Sequence, residues 1–332
     1  MTISHEKCIA KRRTLGLLSA TLVGGLAGAW PNFTHAEAKN ILRIGYQKYG
    51  TLTLLKARGT LDHRLATQGV DVKWTEFPAG PQLLEGLNVG SIDFGTVGEA
   101  PPIFAQAAGA DLVYVANEPG APKGEAIIVP RGSPLLSVAE LRGKKVVLNK
   151  GSNVHYLLVK ALEKAGLAYT DISTIFLPPA DARAAFERGS VDAWVIWDPF
   201  LAAAEKQLGA RILVDGTGLV SNHQFYLAAR SYATRYPDIL RVVQDELTRV
   251  DEWGQRNKPE VARILSKEIG LELQVVELAT SRFAFGALPV SDAVLAEQQK
   301  IADAFSNLKL IPKRIRISDA TLVATRTVKE PT

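Results

Sequence analysis

From Val70 to Phe77 the chain reads Val-Asp-Val-Lys-Trp-Thr-Glu-Phe, apolar and polar in strict alternation, the period of a strand with one face buried. Ile41 to Tyr46 alternates as well and predicts an earlier strand, followed by the loop Gln47-Lys48-Tyr49-Gly50-Thr51 and a helix beginning near Thr51. After the second strand come the turn Pro78-Ala79-Gly80-Pro81, a helix over Gln82 to Val89 and a strand over Ile92 to Thr96. The same order then recurs. It runs strand Lys145 to Leu148, loop Asn149-Lys150-Gly151-Ser152-Asn153, helix Val154 to Ala165, strand Ile172 to Leu177, turn Pro178-Pro179, helix Ala180 to Arg188 and strand Val191 to Trp197.

The two copies share wording as well as order. Gly90-Ser91-Ile92-Asp93 closes the helix of the first, and Gly189-Ser190-Val191-Asp192 that of the second. Each continues to a carboxylate, a proline and a small-residue helix: Glu99-Ala100-Pro101-Pro102 leads to Gly109-Ala110, and Asp198-Pro199 to Gly209-Ala210. A tetrapeptide can recur by chance; helix, strand and Gly-Ala helix end in the same order are much less apt to. Strands alternating with helices imply an α/β fold with largely parallel sheets, because a parallel pair needs a crossover long enough to hold a helix. Two such units imply two like lobes around a cleft, where small ligands are usually held, beyond the carboxyl ends of the strands. Pro119 to Pro130 predicts the first crossing between lobes and Gly216 to Phe225 the return. The expected organisation is lobe 1 from residues 39–122 and 226–320, lobe 2 with the crossings over 123–225, and a fraying tail over 321–332.

Composition narrows the class. The 332 residues with 47% apolar content suit two ordinary cores. Lys7, Lys11, Arg12 and Arg13 precede the uncharged run Leu15 to Trp30, and the small-residue sites Thr34-His35-Ala36 and Ala36-Glu37-Ala38 follow, which together read as an export signal over 1–38 cleaved after Ala36 or Ala38. The alternative is a membrane anchor near the lower length limit, and Arg12-Arg13 leaves Sec and twin-arginine routes both open. The single cysteine, Cys8, lies inside that segment, so the mature chain would have neither disulfides nor thiolate metal sites. Removing residues 1–38 lowers the formal charge from +5 to +3. No basic block interleaves with aromatics, which argues against nucleic acid.

Gly50-Thr51 and Gly151-Ser152-Asn153 occupy matching places, each after a strand and opening a helix, where free backbone N–H groups and the positive end of the helix dipole suit an anion. Capping accounts for Thr51 and Ser152 singly; as a facing pair they fit a negatively charged guest. Glu99 and Asp198 could be the acid and base of a hydrolase, but nothing in their spacing favours that over capping the helices at Pro101 and Pro199, and catalysis ranks well behind binding. His155 and His223 have no partners at zinc spacing, so no metal and no cofactor is expected. His155 opens a helix lining the expected cleft. Trp197, at a strand end, is either core packing or a platform for a ligand's alkyl part.

Gly45-Tyr46-Gln47-Lys48-Tyr49-Gly50-Thr51, Trp74-Thr75-Glu76-Phe77-Pro78, the run from Gly80-Pro81-Gln82 to Asp93-Phe94-Gly95, Asn149-Lys150-Gly151-Ser152-Asn153-Val154-His155-Tyr156 and Trp194-Val195-Ile196-Trp197-Asp198-Pro199 closely resemble the periplasmic aliphatic sulfonate-binding proteins of ABC importers. The likeness runs from about Ile41 to Ile317, with a reordered Thr and Val in Gly95-Thr96-Val97-Gly98-Glu99-Ala100. The resemblance implies a type II periplasmic binding protein fold, an alkanesulfonate held between two closing lobes, and delivery by a monomer to an inner-membrane permease with a cytoplasmic ATPase. The ligand-binding positions it suggests, together with the loop analysis, are Gln47, Gly50, Thr51, Gly80, Pro81, Gly98, Glu99, Ser152, Asn153, His155, Trp197 and Asp198. Rival readings are a binding protein of the same plan for taurine, nitrate, a phosphonate or a thiamine pyrimidine precursor, and an enzyme of a related fold. The absent mature cysteine and the lack of a histidine cluster weigh against the enzyme.

Overall fold

The computed structural model describes residues 40–322. The expected signal over 1–38, and the tail beyond residue 322, lie outside the described residues. The first stretch runs β1 (Asn40–Tyr46), α1 (Gly50–Arg58), α2 (Thr60–Ala66), β2 (Val70–Glu76), α3 (Gly80–Asn88), β3 (Phe94–Gly98), α4 (Pro101–Ala107) and β4 (Leu112–Asn117). The chain then crosses to β5 (Glu125–Val129), β6 (Lys145–Leu148), α5 (Asn153–Lys164), β7 (Ser173–Phe176), α6 (Pro179–Glu187), β8 (Ala193–Trp197), α7 (Phe200–Leu208) and β9 (Arg211–Asp215). It returns through β10 (Gln224–Ala229) to α8 (Arg230–Arg235), α9 (Pro237–Arg256), α10 (Lys258–Ile269), α11 (Leu273–Ser281) and α12 (Asp292–Asn307).

Two five-stranded mixed sheets result, ordered β2-β1-β3-β10-β4 and β7-β6-β8-β5-β9. In each, the three strands of the duplicated unit are parallel, with Ile44 opposite both Trp74 and Phe94 in one sheet and Val147 opposite Ile175 and Trp194 in the other. The fourth position is antiparallel and is filled by the strand that has just arrived from the other lobe: β10 lies between β3 and β4, and β5 between β8 and β9. The crossings run side by side. Glu118 N–H donates to Gln224 O at 2.8 Å and Gly216 N–H to Pro122 O at 3.0 Å. Lobe 2 has one core cluster, whereas the lobe 1 sheet is covered on both faces, by α1, α2, α9 and α10 on one and by α3, α4 and α12 on the other. Among the described residues no helix is long and apolar enough to cross a membrane.

The recurrent Gly-Ser-(Ile/Val)-Asp has a structural cause. Gly90 and Gly189 adopt φ 72 and 68, the left-handed conformation that ends a helix and favours glycine. Ser91 N–H then returns to Gly86 O, and Ser190 N–H to Ala185 O, both at 2.9 Å. Asp93 accepts the Arg43 backbone N–H at 2.8 Å while donating its own N–H to Arg43 O, and Asp192 does the same with Lys145, accepting at 2.7 Å. Each aspartate thus locks a helix end to the start of the neighbouring parallel strand. That clamp explains why β3 and β8 begin two residues later than the apolar runs at Ile92 and Val191 suggest.

Candidate ligand site between the lobes

A narrow, nearly filled cavity of about 10 Å³ lies where the strand ends of the two sheets face each other. Gln47, Tyr49, Gly80, Gly98 and Pro101 line it from lobe 1, Ser152, Asn153 and Trp197 from lobe 2, and Gly124, Asn222 and Gln224 from the crossings and their strand ends. All are uncharged. Gly98 closes the gap: a Cβ there would stand 2.8 Å from Asn153 Cβ, so only glycine lets the end of β3 meet the start of α5. The helices at the two mouths start without a side-chain cap, α1 after Tyr49 and α5 after Ser152. Their first-turn N–H groups therefore have no side-chain cap acceptor, and of those in α5 His155 N–H donates to Ser152 O at 3.0 Å.

Of the positions suggested by the sequence, Gln47, Gly80, Gly98, Ser152, Asn153 and Trp197 line this cavity, while Gly50, Thr51, Pro81, Glu99, His155 and Asp198 are not in its wall. The side-chain hydrogens of these loops are largely committed within the protein. Thr51 donates its hydroxyl to Asp251 Oδ1 at 2.6 Å, and Ser152 donates to Asn149 O at 2.7 Å. Asn153 Nδ2 donates to Asn222 Oδ1 at 3.0 Å and to Glu125 Oε2, which uses both of its hydrogens. Gln47 commits one amide hydrogen to Thr96 O at 3.2 Å. The Tyr49 hydroxyl and the Trp197 indole N–H bond to no group among the described residues, so both can serve a guest.

His155 braces the second mouth from behind. Its ring sits against Phe104, Phe305 and Phe176, and Gly151 N–H donates to Nδ1 at 3.3 Å, so Nε2 carries the proton and faces the Tyr169 hydroxyl at 2.7 Å. Burial, with Lys150 nearby, lowers its pKa to about 4. Glu99 does not cap α4; its Oε2 accepts His223 N–H at 3.1 Å and holds the return crossing. Asp198 does serve its helix, accepting Ala202 N–H at 3.0 Å in the first turn of α7, and it also meets Arg282. Burial raises Asp198 to about 7 against the pull of Arg282. Burial likewise pushes Glu99, Glu118 and Glu125 above the usual carboxylate range.

Tyr49, Pro101, Gly124, Asn222 and Gln224 were not anticipated. Tyr49 lay in plain view within the first loop. Asn222 carries no local signal, because its place depends on φ 50 and on a hydrogen bond that its Nδ2 donates to Ala121 O at 2.8 Å across the paired crossings. Among the described residues no three His, Cys, Asp or Glu are grouped to hold a metal ion.

Residues 35–269 match the model of the NMT1-like family. The chain belongs to that family. Within it, an aliphatic sulfonates-binding protein of Escherichia coli (strain K12) is 45% identical over 311 residues, covering 93% of this chain and 94% of the relative. Among solved structures, the alkanesulfonate-binding protein SsuA from Xanthomonas axonopodis pv. citri bound to MOPS is 43% identical with a TM-score of 0.82, covering 85% of this chain and 98% of the other. The periplasmic aliphatic sulphonate binding protein SsuA from Escherichia coli is 45% identical with a TM-score of 0.77, covering 85% and 92%.

Proposed function

We infer that the protein is the periplasmic alkanesulfonate-binding component of an ABC import system, a binding protein and not an enzyme. The observation that carries this reading is the cavity wall of uncharged groups drawn from both lobes at opposed helix starts, in a chain 45% identical to an aliphatic sulfonates-binding protein. A sulfonate bears no proton near neutral pH and only accepts hydrogen bonds. First-turn backbone N–H groups of α1 and α5, the second Gln47 amide hydrogen, the Tyr49 hydroxyl and the Trp197 indole are the donors that fit it. Charge-assisted bonds contribute about 1.5–3 kcal/mol each, whereas micromolar affinity needs about 8 kcal/mol net. Several donors from both lobes are therefore required, and ligand binding drives closure.

Burial of Glu99, Glu118 and Glu125 favours their protonated forms, which spares an anionic guest like-charge repulsion. Export through the signal over 1–38, action as a monomer, and handover to an inner-membrane permease powered by a cytoplasmic ATPase complete the reading. Isothermal titration with ethanesulfonate, butanesulfonate, taurine, nitrate and sulfate tests it. Heat with an alkanesulfonate, and recovery of that ligand unchanged by mass spectrometry, is the expected result; no heat with any alkanesulfonate overturns it.

A further inference from the structure

Away from the cavity the lobes meet again, where α11 of lobe 1 lies against α7 of lobe 2. Val275 and Ala279 pack directly on Ala202 and Ala203, all four buried. Beside this contact Arg282, at the end of α11, spans the seam. Its Nη1 stands 3.3 Å from both Asp198 oxygens and its Nη2 donates to Glu205 Oε2 at 2.6 Å. The Asp198 side chain is 0% exposed, Arg282 13% and Glu205 22%. Asp198 also accepts Ala202 N–H and directly follows Trp197, which lines the cavity.

We propose that Arg282 is a positioning residue that latches the closed form, acting on the ligand only through Asp198 and the α7–α11 contact. The proposal rests on the reading that two lobes close over a sulfonate. Arg282 and its two acidic partners belong to different lobes, so the pairing exists only when the lobes are together. In an open molecule all three groups return to water, which makes the intact pair of modest net worth. Removing the cation alone is different. Asp198 would then enter the closed form either as a buried carboxylate with no positive partner or at the cost of taking up a proton, and Glu205 beside it would add repulsion. The loss should fall on closure and not on any one ligand contact, so ligands with short and long tails should suffer alike.

The test is titration of the wild type, Arg282→Ala, Arg282→Lys and the double variant Arg282→Ala with Asp198→Asn, using ethanesulfonate and butanesulfonate, with small-angle scattering at saturating ligand. Arg282→Ala should weaken both ligands by roughly ten-fold or more, with a slower approach to the compact form and little change in melting of the ligand-free protein. Arg282→Lys should recover to within a few-fold, and Asp198→Asn should restore part of the loss by removing the stranded charge. Unchanged affinity and compaction in Arg282→Ala overturns the latch while the wild type still binds. An equal fall in ligand-free melting temperature, with no rescue by Lys or by the double variant, also overturns it and assigns Arg282 to the fold. If the wild type gives no heat with either sulfonate, the functional reading fails first and the latch falls with it.

Discussion

β3 and β8 are the same strand of the duplicated unit, yet one ends in Gly98 and the other in Trp197, and both ends line the cavity. The two lobes share strand order, parallel pairing and the aspartate clamp at Asp93 and Asp192. At the mouth they have diverged. Lobe 1 contributes an absence of side chain that admits Asn153, and lobe 2 contributes a large aromatic that fills the facing side, in edge contact with Phe200 at 6.1 Å. The hydroxyls have diverged too. Thr51 reaches the long helix α9, which lobe 2 has no counterpart for, whereas Ser152 stays within its own loop. A scaffold is repeated by repeating local sequence, but a binding site needs its two walls to be complementary and therefore unlike.

The unlike walls should respond most strongly to a change at Trp197. Trp197→Ala removes a buried aromatic and should cost about 3–5 kcal/mol of stability, together with most of the affinity for longer-tailed sulfonates, measured by denaturant unfolding and by titration. Gly98→Ala should leave the ligand-free protein close to its normal melting point while lowering affinity roughly ten- to a hundred-fold, as overpacking by about 1–3 kcal/mol in the closed form alone would require. Equal loss of stability and affinity would show that the β3–α5 contact persists without ligand.

A smaller contrast separates the two hydroxyls. Asp251 Oδ2 already lacks a partner, so Thr51→Val should strip the buried carboxyl of its remaining side-chain donor and cost about 1–3 kcal/mol of stability, against about 1 kcal/mol for Ser152→Ala. Chemical denaturation of the two variants reads the difference directly; the reverse order would place the critical hydroxyl in lobe 2.

The pH profile supplies a further test. Asp198 keeps its proton up to about 7 when folded against 3.8 for the free group, and Glu99, Glu118 and Glu125 are raised by burial in the same sense. Groups raised in this way give stability that is complete below their unfolded pKa and lost as pH rises through the folded value. His155 runs oppositely, from 6.5 down to about 4, so its share is lost as pH falls through that range. With Asp251 also raised by burial to about 7, five carboxyls outweigh one imidazole, and the melting temperature should decline from pH 5 to pH 8 in scanning calorimetry. A rise over that interval would mean that the carboxyls are solvated.

The strands of the repeated unit and their duplication were legible because each rests on a local pattern: period-two alternation, Gly-Ser-(Ile/Val)-Asp, and proline-marked turns; the stretch Pro119 to Pro130, read as a crossing, instead holds strand β5 over Glu125–Val129. The site was legible only as loops. The side-chain hydrogens of Thr51, Ser152 and Asn153 are taken by Asp251, by Asn149 and by Glu125 with Asn222, partners mostly remote in the chain. Donor counts in a loop say nothing about competing acceptors that arrive from elsewhere.

What the amino-acid order determined by itself is the pair of βαβαβ units and the positions of their helix starts, since backbone periodicity and left-handed glycines act over a few residues. What only the tertiary structure decided is which groups remain free to meet a guest, that Asn222 enters the cavity wall, and that Arg282 meets Asp198 across the seam. Those outcomes depend on burial and on which acceptors and charges are brought together, and neither is set until the two lobes have packed.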